Sequence, residues 1–201
     1  MKNIKVLCVL LLVLGLCACT KKEEPIPETK EEETSSVEDK MSNVIHAEIT
    51  IKDYGTMKLE LYPDIAPQSV ENFVNLAKEG FYDGNCFHRI IDGFMIQGGA
   101  DYEGKVSNIY GEFAANGFEN DLKHTEGVIS MARAQDPNSA TSQFFIMVGD
   151  GDWLDGQYAA FGKVTEGYEI AKKIAADAKP TDNNGSIAAE DRPIIESIVI
   201  K

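Results

Sequence analysis

The sequence has few cysteines, an excess of acidic over basic residues, and no long hydrophobic run beyond residue 20. Three of its four cysteines precede residue 20, which leaves Cys86 alone in the rest of the chain, so no internal disulfide framework is expected. Lys and Arg number 19 against 33 Asp and Glu, which gives a net charge of −14. Such a chain repels phosphate backbones, and we expect no nucleic-acid partner.

The first residues have the layout of a targeting signal. Two lysines precede an apolar run over 6–16, which is followed by Cys17, Ala18 and Cys19 and then by a charged tract that starts at Lys21. The run has 11 residues, whereas a membrane-spanning helix needs about 20. The sequence Leu16-Cys17-Ala18-Cys19 resembles the bacterial lipobox, which implies a signal peptide over 1–18 and a lipidated Cys19. An ordinary secreted protein cleaved nearby is the alternative. The predicted location is extracytoplasmic, with Cys19 anchoring the chain to a bacterial membrane.

Residues 19–42 are predicted to be a disordered, acidic tether. The stretch 20–42 contains four Lys, eight Asp or Glu and two Pro, with no aromatic residue and few aliphatic ones. Such a composition cannot bury a core. The tether would let the following domain, residues 43–201, sample a shell above the membrane.

The rest of the chain combines strand and helix patterns. Apolar and polar residues alternate over 45–51 and again over 57–61, which predicts a β-hairpin. Between Pro67 and Gly80, apolar residues recur at helical spacing, and a second apolar stripe lies at 170–175, so two helices are expected. Further short β-type runs lie at 86–91, 94–98, 128–132, 144–148, 159–164 and 194–200.

Eight short strands with only two helices predict one mainly β domain, either a closed barrel or a sandwich. Residues 101–124 are rich in Gly, Asn and Glu and show no clear period. We expect this segment to be a long surface excursion.

Four short strings resemble the cyclophilin family of peptidyl-prolyl cis/trans isomerases in order and spacing. They are YDGNCFHRIIDGFMIQGG at 82–99, SQFFI at 142–146, WLDG at 153–156 and FGK at 161–163. The resemblance implies a closed eight-stranded antiparallel β-barrel with a helix at each end, and a ligand groove on its outer face. It also implies an enzyme that speeds rotation about Xaa–Pro bonds in unfolded or partly folded polypeptides. No bond is broken in this reaction, so no cofactor and no metal are expected.

The resemblance implies three catalytic residues, Arg89, Gln97 and Phe145. The permanently charged guanidinium of Arg89 could donate to the prolyl nitrogen, which becomes a better acceptor as amide resonance is lost. For Arg89, the alternative role is a surface salt bridge. The further substrate-binding positions that match the family are Phe94, Met95, Ala132, Arg133, Ala134, Gln143, Trp153, Leu154 and Tyr158.

Several of these assignments leave alternatives open. Phe94, Met95 and Phe145 could belong to the core, and Trp153 could be a half-buried loop aromatic. Tyr158 stands where the family commonly has a histidine, and Arg133 where an asparagine is usual, with a family contact largely through backbone. Cyclosporin-type cyclic peptides are implied as further ligands. Tyr158 and Arg133 weigh against the binding of these cyclic peptides, whereas Trp153 favours it.

Two further expectations complete the prediction. A polar, compact domain of this size is expected to be a monomer. A calcium loop over 150–156 is rejected, because the ligand register would need a Glu at the position of Phe161. The alternative function is a non-catalytic chaperone or adhesin lipoprotein that binds proline-containing segments.

Overall fold

The computed structural model describes residues 42–201. The predicted signal peptide, the lipidation site Cys19 and the tether, except its last residue, lie outside these residues. Within 42–201, no helix has both the length and the apolar character needed to cross a membrane.

The described residues form eight strands and two α-helices, as the sequence predicted. The sheet is antiparallel throughout, and its strands lie in the order β3-β4-β6-β5-β7-β2-β1-β8. The elements in chain order are β1 (Ile45–Ile51), β2 (Gly55–Leu61), α1 (Pro67–Lys78), β3 (Phe87–Ile91), β4 (Met95–Gly98), β5 (Val128–Met131), β6 (Phe144–Met147), β7 (Ala160–Glu166), α2 (Tyr168–Asp177) and β8 (Ile195–Ile200).

The prediction of a fully closed barrel was overstated. The edge strands β3 and β8 meet only near their ends, through the isolated bridge between Cys86 and Ile194. Beyond that point, a loop over 181–187 forms hydrogen bonds with the outer edge of β3. Ile90 N–H donates to the Gly185 carbonyl at 2.8 Å, and Ile187 N–H donates to the His88 carbonyl at 3.0 Å. The backbone groups of β3 are satisfied by this loop instead of by β8.

Aromatic rings fill the inside of the curled sheet. Phe73, Tyr82, Phe87, Phe144 and Phe161 are fully buried, and neighbouring rings in this group lie 5.3–6.0 Å apart between centroids. Phe73 comes from α1, which packs against β8. The interior is therefore packed with side chains, and a ligand must bind outside it.

A buried glutamate from the 101–124 segment caps α1. Glu112 is fully buried, and its carboxylate accepts hydrogen bonds from Gln68 N–H at 2.9 Å, Ser69 N–H at 2.8 Å and the Ser69 hydroxyl at 2.7 Å. Helix α1 has no side-chain cap of its own at Ala66. The expectation of a surface excursion is therefore wrong for Glu112, as it is for the buried Phe113, Asn120 and His124.

Candidate active site

The three predicted catalytic residues lie in one row across the sheet. Arg89 on β3 pairs with Gln97 on β4, and Gln97 pairs with Phe145 on β6. Phe145 in turn pairs with Ser130 on β5. Because directly paired residues share a face of a sheet, the pairing register alone brings these side chains together.

Arg89 is held by hydrogen bonds from Nε and Nη1, and Nη1 also donates to the Met95 sulfur at 3.7 Å. Its Nε–H donates to the Asn184 carbonyl at 2.8 Å, and its Nη1 donates to Gln97 Oε1 at 3.1 Å. Gln97 is itself fixed, because its Nε2 donates to Gln143 Oε1 at 3.0 Å. Within residues 42–201, no hydrogen bond occupies Nη2 and no carboxylate forms an ion pair with Arg89. The surface salt bridge considered for Arg89 is therefore not present in the described part of the chain.

Arg89 borders an open cavity of about 520 Å³. Its apolar wall comes from Met95, Phe145 and Leu154, whose exposed fractions are 1%, 4% and 7%. These three side chains belong to a small hydrophobic cluster separate from the main core, so they are both buried and part of the cavity wall. The residues that line the cavity are Arg89, Phe94, Met95, Gln97, Ala132, Arg133, Phe145, Trp153, Leu154, Gln157 and Tyr158.

Trp153 forms the outer rim of this cavity. Its side chain is 61% exposed, and its ring lies 5.6 Å from that of Phe94. An indole this exposed contributes little to the core and offers a flat apolar surface to a ligand.

Arg133 and Tyr158, the two residues that differ from the family pattern, are in contact with each other. The Arg133 guanidinium lies over two rings, 4.6 Å from the Tyr158 centroid and 5.0 Å from that of Phe113. Its Nε and Nη2 both donate to the Gln157 carbonyl, at 3.1 and 2.9 Å. The guanidinium thus forms part of the cavity wall, in contrast to the backbone contact expected from the family.

A smaller cavity of about 270 Å³ adjoins the first. Ala132 continues the strand ladder for one residue, since its N–H donates to the Gln143 carbonyl at 2.9 Å. Strand β5 itself ends at Met131. Of the predicted positions, Ala134 and Gln143 line only this second cavity. Its walls are Gln97, Ala132, Arg133, Ala134, Ser139, Thr141 and Gln143.

A buried polar group supports Phe145 from behind. His124, 2% exposed, lies 3.0 Å through Nδ1 from Asp155 Oδ1 and 3.0 Å through Nε2 from Ser130 Oγ. Its ring stacks on Phe145 at 6.1 Å between centroids and 19° between planes. Burial lowers the pKa of His124, and this effect outweighs the raising influence of the Asp155 carboxylate.

Sequence reasoning missed several residues of this site. Asp155 was considered only for a calcium loop, and no group of three or more metal-ligating side chains exists within residues 42–201. The three histidines, His46, His88 and His124, are scattered along the sequence without the spacing of metal ligands, so His124 carried no signal for a role here. Nothing in the sequence pointed to Gln157 or Asn184, because both act through backbone carbonyls. Nothing pointed to Phe113 either, because it is distant in sequence from Arg133.

Comparison with known proteins decides the family. The profile of the family described as cyclophilin type peptidyl-prolyl cis-trans isomerase/CLD matches residues 46–200. The chain belongs to the cyclophilin family of peptidyl-prolyl cis/trans isomerases. Its activity is therefore isomerisation of prolyl peptide bonds, as the sequence predicted.

Individual cyclophilins agree with this assignment. The chain is 44% identical over 151 residues to peptidyl-prolyl cis-trans isomerase-like 1 of Neurospora crassa, covering 73% of this chain and 86% of that protein. It is 37% identical over 156 residues to peptidyl-prolyl cis-trans isomerase B of Escherichia coli, covering 74% and 95%. A crystal structure of a Cryptosporidium parvum cyclophilin type isomerase aligns with a TM-score of 0.68 at 31% identity, covering 79% and 98%. That protein was also solved in the presence of the dipeptide Ala-Pro, and this structure aligns at 30% identity with a TM-score of 0.64, covering 78% and 98%.

The cyclophilin cavity joins an apolar wall to a fixed cation. An Xaa–Pro bond rotates over a barrier of about 18–20 kcal/mol, and no covalent bond needs to break. Hydrogen-bond donors that are held in place before the reaction can stabilise charge that develops only in the transition state. Arg89, which lines the same cavity as Phe145, fits this requirement.

Proposed function

We propose that the protein is a membrane-anchored cyclophilin that isomerises Xaa–Pro bonds in unfolded or partly folded polypeptides outside the cytoplasm. Arg89, Gln97 and Phe145 are its catalytic residues in this proposal. The single observation that carries the assignment is the Arg89 guanidinium at the edge of a cavity with an apolar wall, held at Nε and Nη1 while Nη2 has no hydrogen-bond partner among residues 42–201.

The proposed mechanism uses two interactions. The proline ring rests on the wall formed by Met95, Phe145 and Leu154. Arg89 Nη2 then donates to the prolyl nitrogen as the amide twists and that nitrogen gains lone-pair character. A hydrogen bond to a charged group contributes about 1.5–3 kcal/mol. If the bond forms only in the transition state, it accelerates exchange about 10- to 150-fold.

The test is NMR exchange spectroscopy of an Ala-Pro-containing peptide with the chain that begins at Thr20. The parent should accelerate cis/trans exchange, and Arg89→Ala should lose at least ~90% of that acceleration. Arg89→Lys should remain impaired, because an ammonium cannot keep both holding bonds. Lys52→Ala removes one exposed positive charge away from the cavity and serves as the control. An Arg89→Ala variant as active as the parent would refute the mechanism.

The same experiment separates catalysis from simple binding. A chaperone or adhesin that holds proline-containing segments would bind the peptide with little acceleration. Its binding would also persist in Arg89→Ala. Measuring peptide affinity by titration alongside exchange therefore decides between the two functions.

Membrane anchorage rests on the sequence around Cys19 and has its own test. In a bacterial host, the full-length chain should incorporate labelled palmitate and fractionate with membranes. Cys19→Ser should abolish both, whereas Cys17→Ser should leave both unchanged. Release of the parent as a soluble, unlabelled protein would contradict the anchor.

We also propose that cyclosporin-type cyclic peptides compete for the cavity, with affinity limited by Arg133 and Tyr158. The exposed indole of Trp153 supports this binding, while the guanidinium over Tyr158 occupies part of the wall. Inhibition of exchange by cyclosporin should strengthen in the double variant Arg133→Asn, Tyr158→His. Unchanged inhibition would show that these two residues do not set the sensitivity.

A further inference from the structure

We infer that the loop over 181–187 is a positioning element for Arg89, and that the Asp182 carboxylate organises this loop for that purpose. The inference rests on the proposed role of Arg89. It adds a determinant of turnover that lies outside the cavity, since no residue of the loop lines either cavity.

The loop contacts Arg89 directly and is fixed on both sides of it. The Asn184 carbonyl accepts the Arg89 Nε–H bond at 2.8 Å. The neighbouring Gly185 carbonyl accepts Ile90 N–H, and Ile187 N–H donates to the His88 carbonyl. Arg89 thus lies between two backbone hydrogen bonds that join the loop to β3, so movement of the loop moves the acceptor of Nε–H.

Asp182 holds the loop in this shape. Its Oδ1 accepts hydrogen bonds from Asn184 N–H at 2.9 Å and Ser186 N–H at 3.0 Å. The Thr181 N–H and hydroxyl both donate to the Ser186 carbonyl, at 2.8 and 3.0 Å, which closes the turn. The hydrogen bonds that the Asp182 carboxylate accepts, led by that from the Ser186 backbone, lower the pKa of Asp182. The carboxylate form is therefore the one that organises the turn.

Gly185 lets the loop approach β3 closely. Its φ is +86°, a conformation that favours glycine, and an added Cβ would lie 2.5 Å from the Ile90 carbonyl oxygen. The approach that brings the Asn184 carbonyl to Arg89 is available only without a side chain at 185.

Loss of the loop contact should affect turnover more than peptide binding. Without the Asn184 carbonyl, Arg89 keeps only the hydrogen bonds of Nη1, to Gln97 Oε1 at 3.1 Å and to the Met95 sulfur at 3.7 Å, and the guanidinium plane can rotate about that nitrogen. The apolar wall at Met95, Phe145 and Leu154 remains as it was. Binding of the proline ring is then preserved, while Nη2 no longer points steadily at the prolyl nitrogen.

The experiment compares Asp182→Ala with Asp101→Ala in the chain that begins at Thr20. Asp101 is a matched control, because its carboxylate also organises an exposed turn, accepting bonds from the backbone N–H groups of Glu103, Gly104 and Val106. Exchange rates are measured at several peptide concentrations so that kcat and KM are separated. We expect Asp182→Ala to lower kcat about 5- to 20-fold with KM within about twofold, and Asp101→Ala to change neither.

A second readout reports on Arg89 itself. The ¹⁵Nε–¹Hε resonance of Arg89 should shift and exchange faster with water in Asp182→Ala. It should stay at the parent position in Asp101→Ala and in the conservative variant Asp182→Asn, whose amide oxygen can still accept both turn bonds. Rescue of kcat by Asp182→Asn is expected for the same reason.

The outcomes distinguish this inference from the proposed function. Suppose that the parent is active and that Arg89→Ala loses this activity. A normal kcat and an unshifted Arg89 resonance in Asp182→Ala would then overturn the inference but leave the proposed function intact. Equal losses in Asp182→Ala and Asp101→Ala also overturn it, because they would report general destabilisation. An inactive but folded parent overturns the proposed function and this inference together.

Discussion

Replacing Glu112 tests how the long segment before β5 is tied to the rest of the fold. In Glu112→Ala, the Gln68 and Ser69 N–H groups at the first turn of α1 lose their acceptor, as does the Ser69 hydroxyl. The Ser69 N–H and hydroxyl are buried, and each buried donor left without a partner costs about 1–3 kcal/mol. Water entering the vacated space recovers part of this cost, so we expect a loss of about 3–5 kcal/mol.

That loss is large on the scale of a whole domain, whose unfolding free energy is about 5–15 kcal/mol. For a chain of this size, each kcal/mol lowers Tm by about 2–4 °C, so Tm should fall by roughly 6–20 °C. Glu112→Gln fills nearly the same space and keeps one acceptor oxygen, and it should lose about 2 kcal/mol. The difference between the two variants separates the missing acceptors from the missing volume.

The assay is urea unfolding followed by tryptophan fluorescence and circular dichroism. Glu71→Ala, an exposed glutamate on the same helix, is the control and should change the free energy of unfolding by less than about 0.5 kcal/mol. A Glu112→Ala variant within the same limit would show that the carboxylate contributes no net stability. The cap would then be a consequence of folding and not a cause of stability.

Three further predictions concern pH, the cavity rim and the sheet. Burial lowers the pKa of both His124 and His88. Below about pH 6.5, the unfolded chain therefore binds protons that the folded chain does not. The free energy of unfolding should fall as the pH drops from 7 to 5.5, and His124→Asn should make this fall smaller. Trp153→Ala should raise KM severalfold without changing Tm, because the indole is 61% exposed; a matching fall in Tm would argue against a role at the rim. Gly162→Ala should lower Tm clearly, since the added Cβ on β7 would lie 2.4 Å from the Glu60 carbonyl oxygen on β2. An unchanged melting curve would mean that β2 and β7 can move apart at no cost in stability.

The regular elements could be predicted because local patterns determine them. Strand β1 alternates in burial, with Ala47, Ile49 and Ile51 inside. Helix α1 buries Val70 and Phe73 at the spacing read from the sequence. Each of these signals depends on residues a few positions apart, and tertiary structure did not override them.

The remaining features depend on contacts between distant parts of the chain. Glu112 caps a helix more than 40 residues earlier, and the Asn184 carbonyl reaches Arg89 across 95 residues. A backbone carbonyl is present at every position, so its role leaves no signature in a sequence. The prediction of a closed barrel was overstated for the same reason, because the loop over 181–187 binds the outer edge of β3 through backbone groups.

The row of Arg89, Gln97, Phe145 and Ser130 also has a consequence for refolding. Its members come from four strands that are up to 56 positions apart in sequence, and a slip of one residue in any pairing would turn a side chain to the opposite face. Such long-range pairings form slowly and close many loops at once. Isomerase activity should therefore return only with the last cooperative step of refolding, which makes turnover a direct assay for complete, correctly registered molecules.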